Sequence, residues 1–204
     1  MKIFVYGDSN TFGQKPNLNG YTKNAKIERY DKKDIWWSKL KDEVCVNGLS
    51  GRAVCSDSFW FDGRNASKTI ENDLKNIEAD VFVMFLGTND LKSDYHLTAE
   101  QITKEMQKLL EKIEHKLKPK IILIGPPTVK EGNVVTDKYY VGAQQKSQQL
   151  NDLYCLLAKE KGFSFVLGTD LEVGKDGEHL TKKGHKLLWQ KVEKEIEKIK
   201  EMKN

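Results

Sequence analysis

The chain has little of what marks several protein classes. Its 204 residues include three cysteines, Cys45, Cys55 and Cys155, an odd number with no Cys-x-x-Cys spacing, which argues against a disulfide framework and a zinc knuckle. Cys45 lies in an apolar run and Cys155 in a helical pattern, so both are expected in the core. Cys55 stands in a polar loop, where a thiol can be reactive, but no histidine is near it in sequence. Nothing approaches 18 consecutive apolar residues, so no membrane span is expected. The strand-like run begins at Lys2 and leaves no room for a cleavable leader, so a cytoplasmic protein is expected. A strong excess of one charge is also missing: 34 basic residues face 30 acidic ones, a net charge of +4. No basic stripe alternates with aromatics, and nucleic acid is not an expected partner. The lysines from Lys191 to Lys203 stand beside glutamates and read as a solvated helix face.

What is present is a regular alternation. Five apolar runs, Lys2 to Tyr6, Val44 to Val46, Val81 to Leu86, Ile121 to Ile124 and Phe163 to Val166, alternate with stretches of helical period. Helices are expected over Asp34 to Asp42, Ser67 to Ile77, Thr98 to Leu117, Gln144 to Lys161 and Thr181 to Lys200. Strands alternating with helices build right-handed βαβ units, hence an α/β fold: a three-layer α/β/α sandwich on a five-stranded parallel sheet. The expected strand order is the flavodoxin-like 2-1-3-4-5. A chain of this length is expected to form one domain and to bury about 70% of its unfolded surface. Gly125 to Val141, with Pro126 and Pro127, is the one long loop.

Function is read from the segments after the strands, because in a parallel sheet these segments share one edge. The first strand runs into Gly7-Asp8-Ser9, the second into Asn47-Gly48-Leu49-Ser50-Gly51-Arg52, and the third into Gly87-Thr88-Asn89-Asp90. The fifth leads to Asp176-Gly177-Glu178-His179. A serine hydroxyl attacks an acyl carbon only if a base takes its proton, and histidine has the pKa for that task. The chain has four histidines. His96 lies in a polar loop, His115 at the basic end of a helix, and His185 inside the last helix, where it reads as structural. His179 alone has a carboxylate, Asp176, three residues ahead, suited to hold the ring by its Nδ1 proton. The Ser9 and Gly51 N–H groups and the Asn89 side-chain amide are candidate donors to an oxyanion. Each feature also has a plainer reading. Asp8-Ser9 and Asp176-Gly177 can be turns, Gly51 a left-handed turn residue, Asn89 a loop residue bonding its own backbone, and His179 the neighbour of a Thr181 N-cap.

Taken together, these segments resemble the four signature blocks of the SGNH hydrolases, also called GDSL esterases and lipases, over essentially the whole chain. The likeness is closer to the arylesterase and acetyl-esterase branch, whose GDSxTxG, GLSGR and LGTNDLK motifs stand here at Gly7 to Gly13, Gly48 to Arg52 and Leu86 to Lys92. Asp62-Gly63-Arg64-Asn65 matches between them. The resemblance implies Ser9 as nucleophile, His179 as general base and acid, and Asp176 as its orienter. It implies Ser9, Gly51 and Asn89 as oxyanion donors, with no metal or organic cofactor. The expected partner is a small-molecule ester, an aryl, acetylated-sugar or short-chain acyl ester, with acyl transfer to alcohols or peroxide allowed. Asn10 and Phe12 stand where the branch often has leucine and tryptophan. With Ser50 and Pro126 they are expected to line the acyl pocket, and a short acyl chain is expected because Phe12, Ser50 and the Gly125 to Val141 loop crowd the site. Some members oligomerise, and Phe59-Trp60-Phe61 is a candidate interface for a homo-oligomer or, equally, a packing cluster within the chain. The G-x-S-x-G elbow of α/β-hydrolases is absent. Two rival readings remain at this point: a flavodoxin-like phosphate or flavin binder using Ser9, Asn10 and Thr11, and a Mg²⁺ site between Asp8 and Asp90.

Overall fold

A computed structural model describes residues 1–19 and 27–202, so Lys203 lies outside the described residues. Five parallel strands, β1 (Lys2–Gly7), β2 (Glu43–Gly48), β3 (Val81–Phe85), β4 (Lys120–Ile124) and β5 (Ser164–Val166), form one sheet in the order β2-β1-β3-β4-β5. That is the expected order. Strand residues alternate between two cores, as a pleat with both faces covered requires. Phe4, Tyr6, Phe82, Met84, Ile121 and Leu123 face one side, and Ile3, Val5, Val81, Val83, Phe85, Ile122 and Ile124 the other. The first core is closed by α2 (Ala66–Asp73), α3 (Ala99–Leu117) and α5 (Ala143–Lys161), the second by α6 (Lys182–Glu201). No helix among the described residues is long and apolar enough to cross a membrane.

The local signals explain most boundaries. Thr98 and Gln101 form a reciprocal capping box at the start of α3, and the Thr181 side chain caps α6. Asp34 to Asp42 is not the expected helix: it makes two 3₁₀ turns, Lys32–Asp34 and Trp36–Lys39, broken by extended backbone at Ile35. So short a helix would be weak in isolation, and packing dictates the path. Trp36 meets Phe85 edge-on, while the Trp37 indole donates to the Thr11 carbonyl at 2.7 Å. The helix expected to reach Ile77 ends at Asp73, and the chain then turns through Asn76, in the left-handed region at φ 61°.

Both core cysteines expected from the sequence are on the surface. Cys45 is exposed on β2, the edge strand, where Val44 and Val46 face the core instead. On α5 the buried stripe runs through Ser147, Leu150, Asn151, Tyr154, Leu157 and Ala158, which leaves Cys155 outside it. The Gly125 to Val141 loop packs into the first core. It holds a short helix, α4 (Thr136–Tyr139), and buries Val129, Val135, Tyr139 and Tyr140.

Candidate active site

The carboxyl ends of the strands bring Ser9, Asp176 and His179 together. Asp8 follows β1 and caps a one-turn helix, α1 (Ser9–Phe12), by accepting the Asn10 N–H. Gly7 and Gly48 allow this turn to lie against the sheet. A Cβ on Gly48 would meet the Phe12 nitrogen at 2.6 Å. Across the rim, a Val173–Leu180 bridge closes the loop that carries Asp176 and His179, and Gly177 turns it at φ 80°.

His179 Nδ1 lies 2.7 Å from Asp176 Oδ2, and its Nε2 lies 2.9 Å from Ser9 Oγ. An ionised carboxylate can only accept, so the Nδ1 proton faces Asp176, and in the neutral ring the Nε2 lone pair faces the Ser9 hydroxyl. All three residues are buried. Asp176 also accepts the N–H groups of Asn17 at 2.7 Å, His179 at 3.2 Å and Glu178 at 3.3 Å. Burial opposes its charge, but the His179 ring and these N–H groups prevail and hold its carboxyl below the usual range. For His179, burial would lower the pKa, but the carboxylates of Glu178, Asp176 and Asp8 outweigh it and raise it above the ordinary imidazole value.

Two oxyanion candidates are backbone donors left open. Among the described residues, neither the Ser9 nor the Gly51 N–H has a hydrogen-bond acceptor. Gly51 takes φ 80°, the left-handed conformation that glycine adopts without strain. Asn89, the third candidate, sits at the end of β3, where its Nδ2 donates to the Arg52 carbonyl at 3.0 Å and its Oδ1 accepts from Lys92 at 2.8 Å.

The residues expected to line an acyl pocket are divided. Asn10 is fully buried and acts as a latch: its Nδ2 donates to the Glu178 carbonyl at 3.2 Å and its Oδ1 accepts the Leu180 N–H at 2.9 Å. With both ends engaged it clamps the Ser9 turn to the His179 loop. Phe12 is half-buried under the Arg29 guanidinium, and Ser50 donates to Gln14. Pro126 is buried beside α5, its carbonyl accepting from Asn151 at 2.8 Å, and none of these contacts ties it to Ser9. Trp60 packs edge-on against Tyr139, whereas Phe59 stacks on Tyr95 and stays 59% exposed.

Other candidates have structural explanations. Asp90 accepts the N–H groups of Val54, Cys55 and Ser56 and the Ser56 hydroxyl, donors that a cation at Asp8 and Asp90 would have to displace. The Cys55 thiol beside it is pushed up to about 12 by burial and by the Asp90 charge, so it is not a thiolate near neutral pH. His185 is fully buried, packs edge-on against Tyr30, and burial lowers its pKa to about 4. The ligand atoms of Asp176, Glu178 and His179 lie within 4.8 Å of one another, the grouping among the described residues that could hold a metal ion. Asp176 is committed to the His179 ring and Glu178 to Tyr140, so the donor set is already satisfied within the protein.

Sequence reasoning missed the charged groups beneath the site. Glu178 is buried with Oε1 3.6 Å from His179 Nδ1, while Oε2 accepts the Tyr140 hydroxyl at 2.6 Å. Burial raises its pKa to about 7. Arg52 lies 3.9 Å from the Tyr6 ring and donates to the Gly7 and Asn47 carbonyls. Arg52, Lys92 and Glu178 all stand inside the signature blocks. That was the available signal, masked by the ordinary expectation that charges face water.

Known proteins resemble this chain over nearly its whole length. Residues 5–187 match the family model described as GDSL-like Lipase/Acylhydrolase. No curated protein matches the sequence. Among solved structures, a carbohydrate acetylesterase family member from Sinorhizobium meliloti is 26% identical with a TM-score of 0.80, covering 96% of each chain. A second carbohydrate acetylesterase from Sinorhizobium meliloti is 24% identical, TM-score 0.84, over 97% of this chain and 99% of that one. The M. smegmatis aryl esterase is 23% identical, TM-score 0.84, over 97% of this chain and 98% of that one. With a sheet of this order and a family match over nearly its whole length, the chain belongs to the GDSL-like lipase/acylhydrolase family, whose members hydrolyse carboxylic esters.

Proposed function

We propose that this chain is a serine esterase that cleaves short-chain esters, such as acetylated sugars or aryl acetates, through an acyl-enzyme on Ser9. What supports the reading is one continuous run of contacts, Asp176 to His179 Nδ1 at 2.7 Å and His179 Nε2 to Ser9 Oγ at 2.9 Å. His179 takes the hydroxyl proton as Oγ bonds to the acyl carbon, and the carbonyl oxygen becomes an oxyanion facing the Ser9, Gly51 and Asn89 donors. Collapse of this intermediate breaks the bond to the alcohol, which leaves with the proton from His179. Water, deprotonated by the same ring, then adds to the acyl-enzyme and releases the acid and the Ser9 hydroxyl. An alcohol or peroxide in place of water gives acyl transfer.

A panel of p-nitrophenyl esters from C2 to C12, run beside acetylated sugars, tests the proposal. Turnover is expected to be fastest on the acetate and absent in Ser9→Ala. Fastest turnover on the C12 ester would refute the short-chain preference, and wild-type turnover in Ser9→Ala would refute the mechanism.

A further inference from the structure

Asn89 stands between two neighbours of opposite hydrogen-bond character. Lys92 Nζ donates to its Oδ1 at 2.8 Å, and its Nδ2 donates to the Arg52 carbonyl at 3.0 Å. An ammonium only donates and a carbonyl only accepts. The amide therefore has one orientation: turned over, it would set its NH₂ against an ammonium and its oxygen against a carbonyl. Among the described residues Arg52 is the one acceptor of Nδ2, which leaves the second N–H of that nitrogen uncommitted.

Both anchors are themselves fixed. Arg52 is 2% exposed, and its guanidinium donates to the Gly7 carbonyl at 3.0 Å and to the Asn47 carbonyl at 2.6 Å, which ties the residue to the ends of β1 and β2. Lys92 is 4% exposed, with its ammonium 5.2 Å from the Trp60 ring centre and 5.8 Å from that of Tyr140. Burial lowers its pKa to about 8, against the carboxylates of Asp90, Asp8 and Asp94, so at pH 7 it remains largely protonated. Stability alone does not account for it, since a well-packed apolar side chain of the same volume avoids the cost of dehydrating an ammonium.

We propose that Lys92 is a positioning residue for the oxyanion hole: its ammonium fixes the Asn89 amide with the second N–H left for the ester oxygen, and by drawing charge onto Oδ1 strengthens that N–H as a donor. This rests on the reading of Asn89 as an oxyanion donor. Because the oxyanion exists only after attack, the contribution falls on kcat rather than KM. It also extends to boronic acids, which form a tetrahedral adduct on the serine.

The test is a cycle of Asn89→Ala, Lys92→Met and the double variant, assayed with p-nitrophenyl acetate and with inhibition by phenylboronic acid. Asn89→Ala is expected to lose about 100-fold or more in kcat. Lys92→Met should lose about 10-fold or more in kcat and a similar factor in boronic acid affinity, with KM changed less than about threefold, and should add nothing in the Asn89→Ala background. If the methionine variant does not fold, Lys92→Gln, which keeps a neutral donor, takes its place with a smaller loss and the same absence of effect without Asn89. Wild-type kcat in Lys92→Met beside an impaired Asn89→Ala would overturn the proposal. So would a Lys92 effect of the same size in both backgrounds. Wild-type kcat in Asn89→Ala would overturn the oxyanion assignment itself, a distinct result.

Discussion

Glu178→Gln isolates the buried charge beside the general base. The substitution keeps the side-chain volume and an acceptor for the Tyr140 hydroxyl while removing the carboxylate 3.6 Å from His179 Nδ1. A full charge pair at that separation is worth roughly 4 to 5 kcal/mol at an effective permittivity of about 20, or about 3 pH units. Glu178, raised to about 7, shares the titration range of the ring and carries only part of its charge as His179 ionises. A displacement of about 1 unit is therefore expected. The sign comes from the role of the base. His179 accepts the serine proton only when neutral, and its pKa is raised, so kcat/KM of the wild type climbs as pH rises through that value. Removing the neighbouring charge takes support from the imidazolium, moves the acidic limb to lower pH, and raises kcat/KM on that limb up to about tenfold. The assay is a pH profile of kcat/KM with p-nitrophenyl acetate for both proteins. An acidic limb that stays in place, or moves upward, refutes the reasoning.

Three further outcomes are expected. Tyr140→Phe removes the donor to the Glu178 carboxylate, which favours its neutral form, so the acidic limb should shift in the same direction as in Glu178→Gln; an upward shift would contradict this. Asp176→Asn should lose less kcat than His179→Ala, roughly ten-thousandfold against roughly a millionfold, because it orients the ring rather than moving the proton; equal losses in steady-state kinetics would count against the division of roles. Gly48→Ala pushes a methyl against the Phe12 nitrogen and the Thr11 carbonyl carbon, the latter at 2.8 Å, and cannot be relieved by a side-chain rotation. It should cost about 1 to 3 kcal/mol, read as a Tm lowered by at least about 2 °C, together with reduced kcat as α1 shifts. An unchanged Tm would show that the turn has slack.

The sheet was legible because continuous apolar runs such as Phe4 to Tyr6 and Phe82 to Met84 mark strands covered on both faces, and their alternation with helices makes the sheet parallel. The site was legible as four loop segments, because parallel topology gathers residues such as Ser9 and His179 that are far apart in sequence. Two kinds of feature were hidden. The segment around Trp36 and Trp37 has helical spacing, but two indoles with different destinations, Phe85 and the Thr11 carbonyl, impose 3₁₀ turns that periodicity does not encode. Cys45 shares its apolar run with Val44 and Val46, and only the place of β2 at the sheet edge decides that its side is exposed. The buried charges were hidden more deeply. Lys92, Arg52 and Glu178 carry the residue types of a solvated surface, and each meets a polar partner inside: Asn89, three residues earlier, for the first, Gly7 from another segment for the second, and Tyr140 from another segment for the third. The latch made by Asn10 was hidden for the same reason, since its partners, Glu178 and Leu180, lie at the far end of the chain.

The nucleophile itself is best tested by covalent labelling. The protein is treated with a fluorophosphonate ester at neutral pH, digested, and mapped by peptide mass spectrometry. A single stoichiometric adduct on Ser9, abolished in Ser9→Ala and greatly slowed in His179→Ala, is the predicted result. An adduct on another serine, or one on Ser9 that forms as fast without His179, would contradict it.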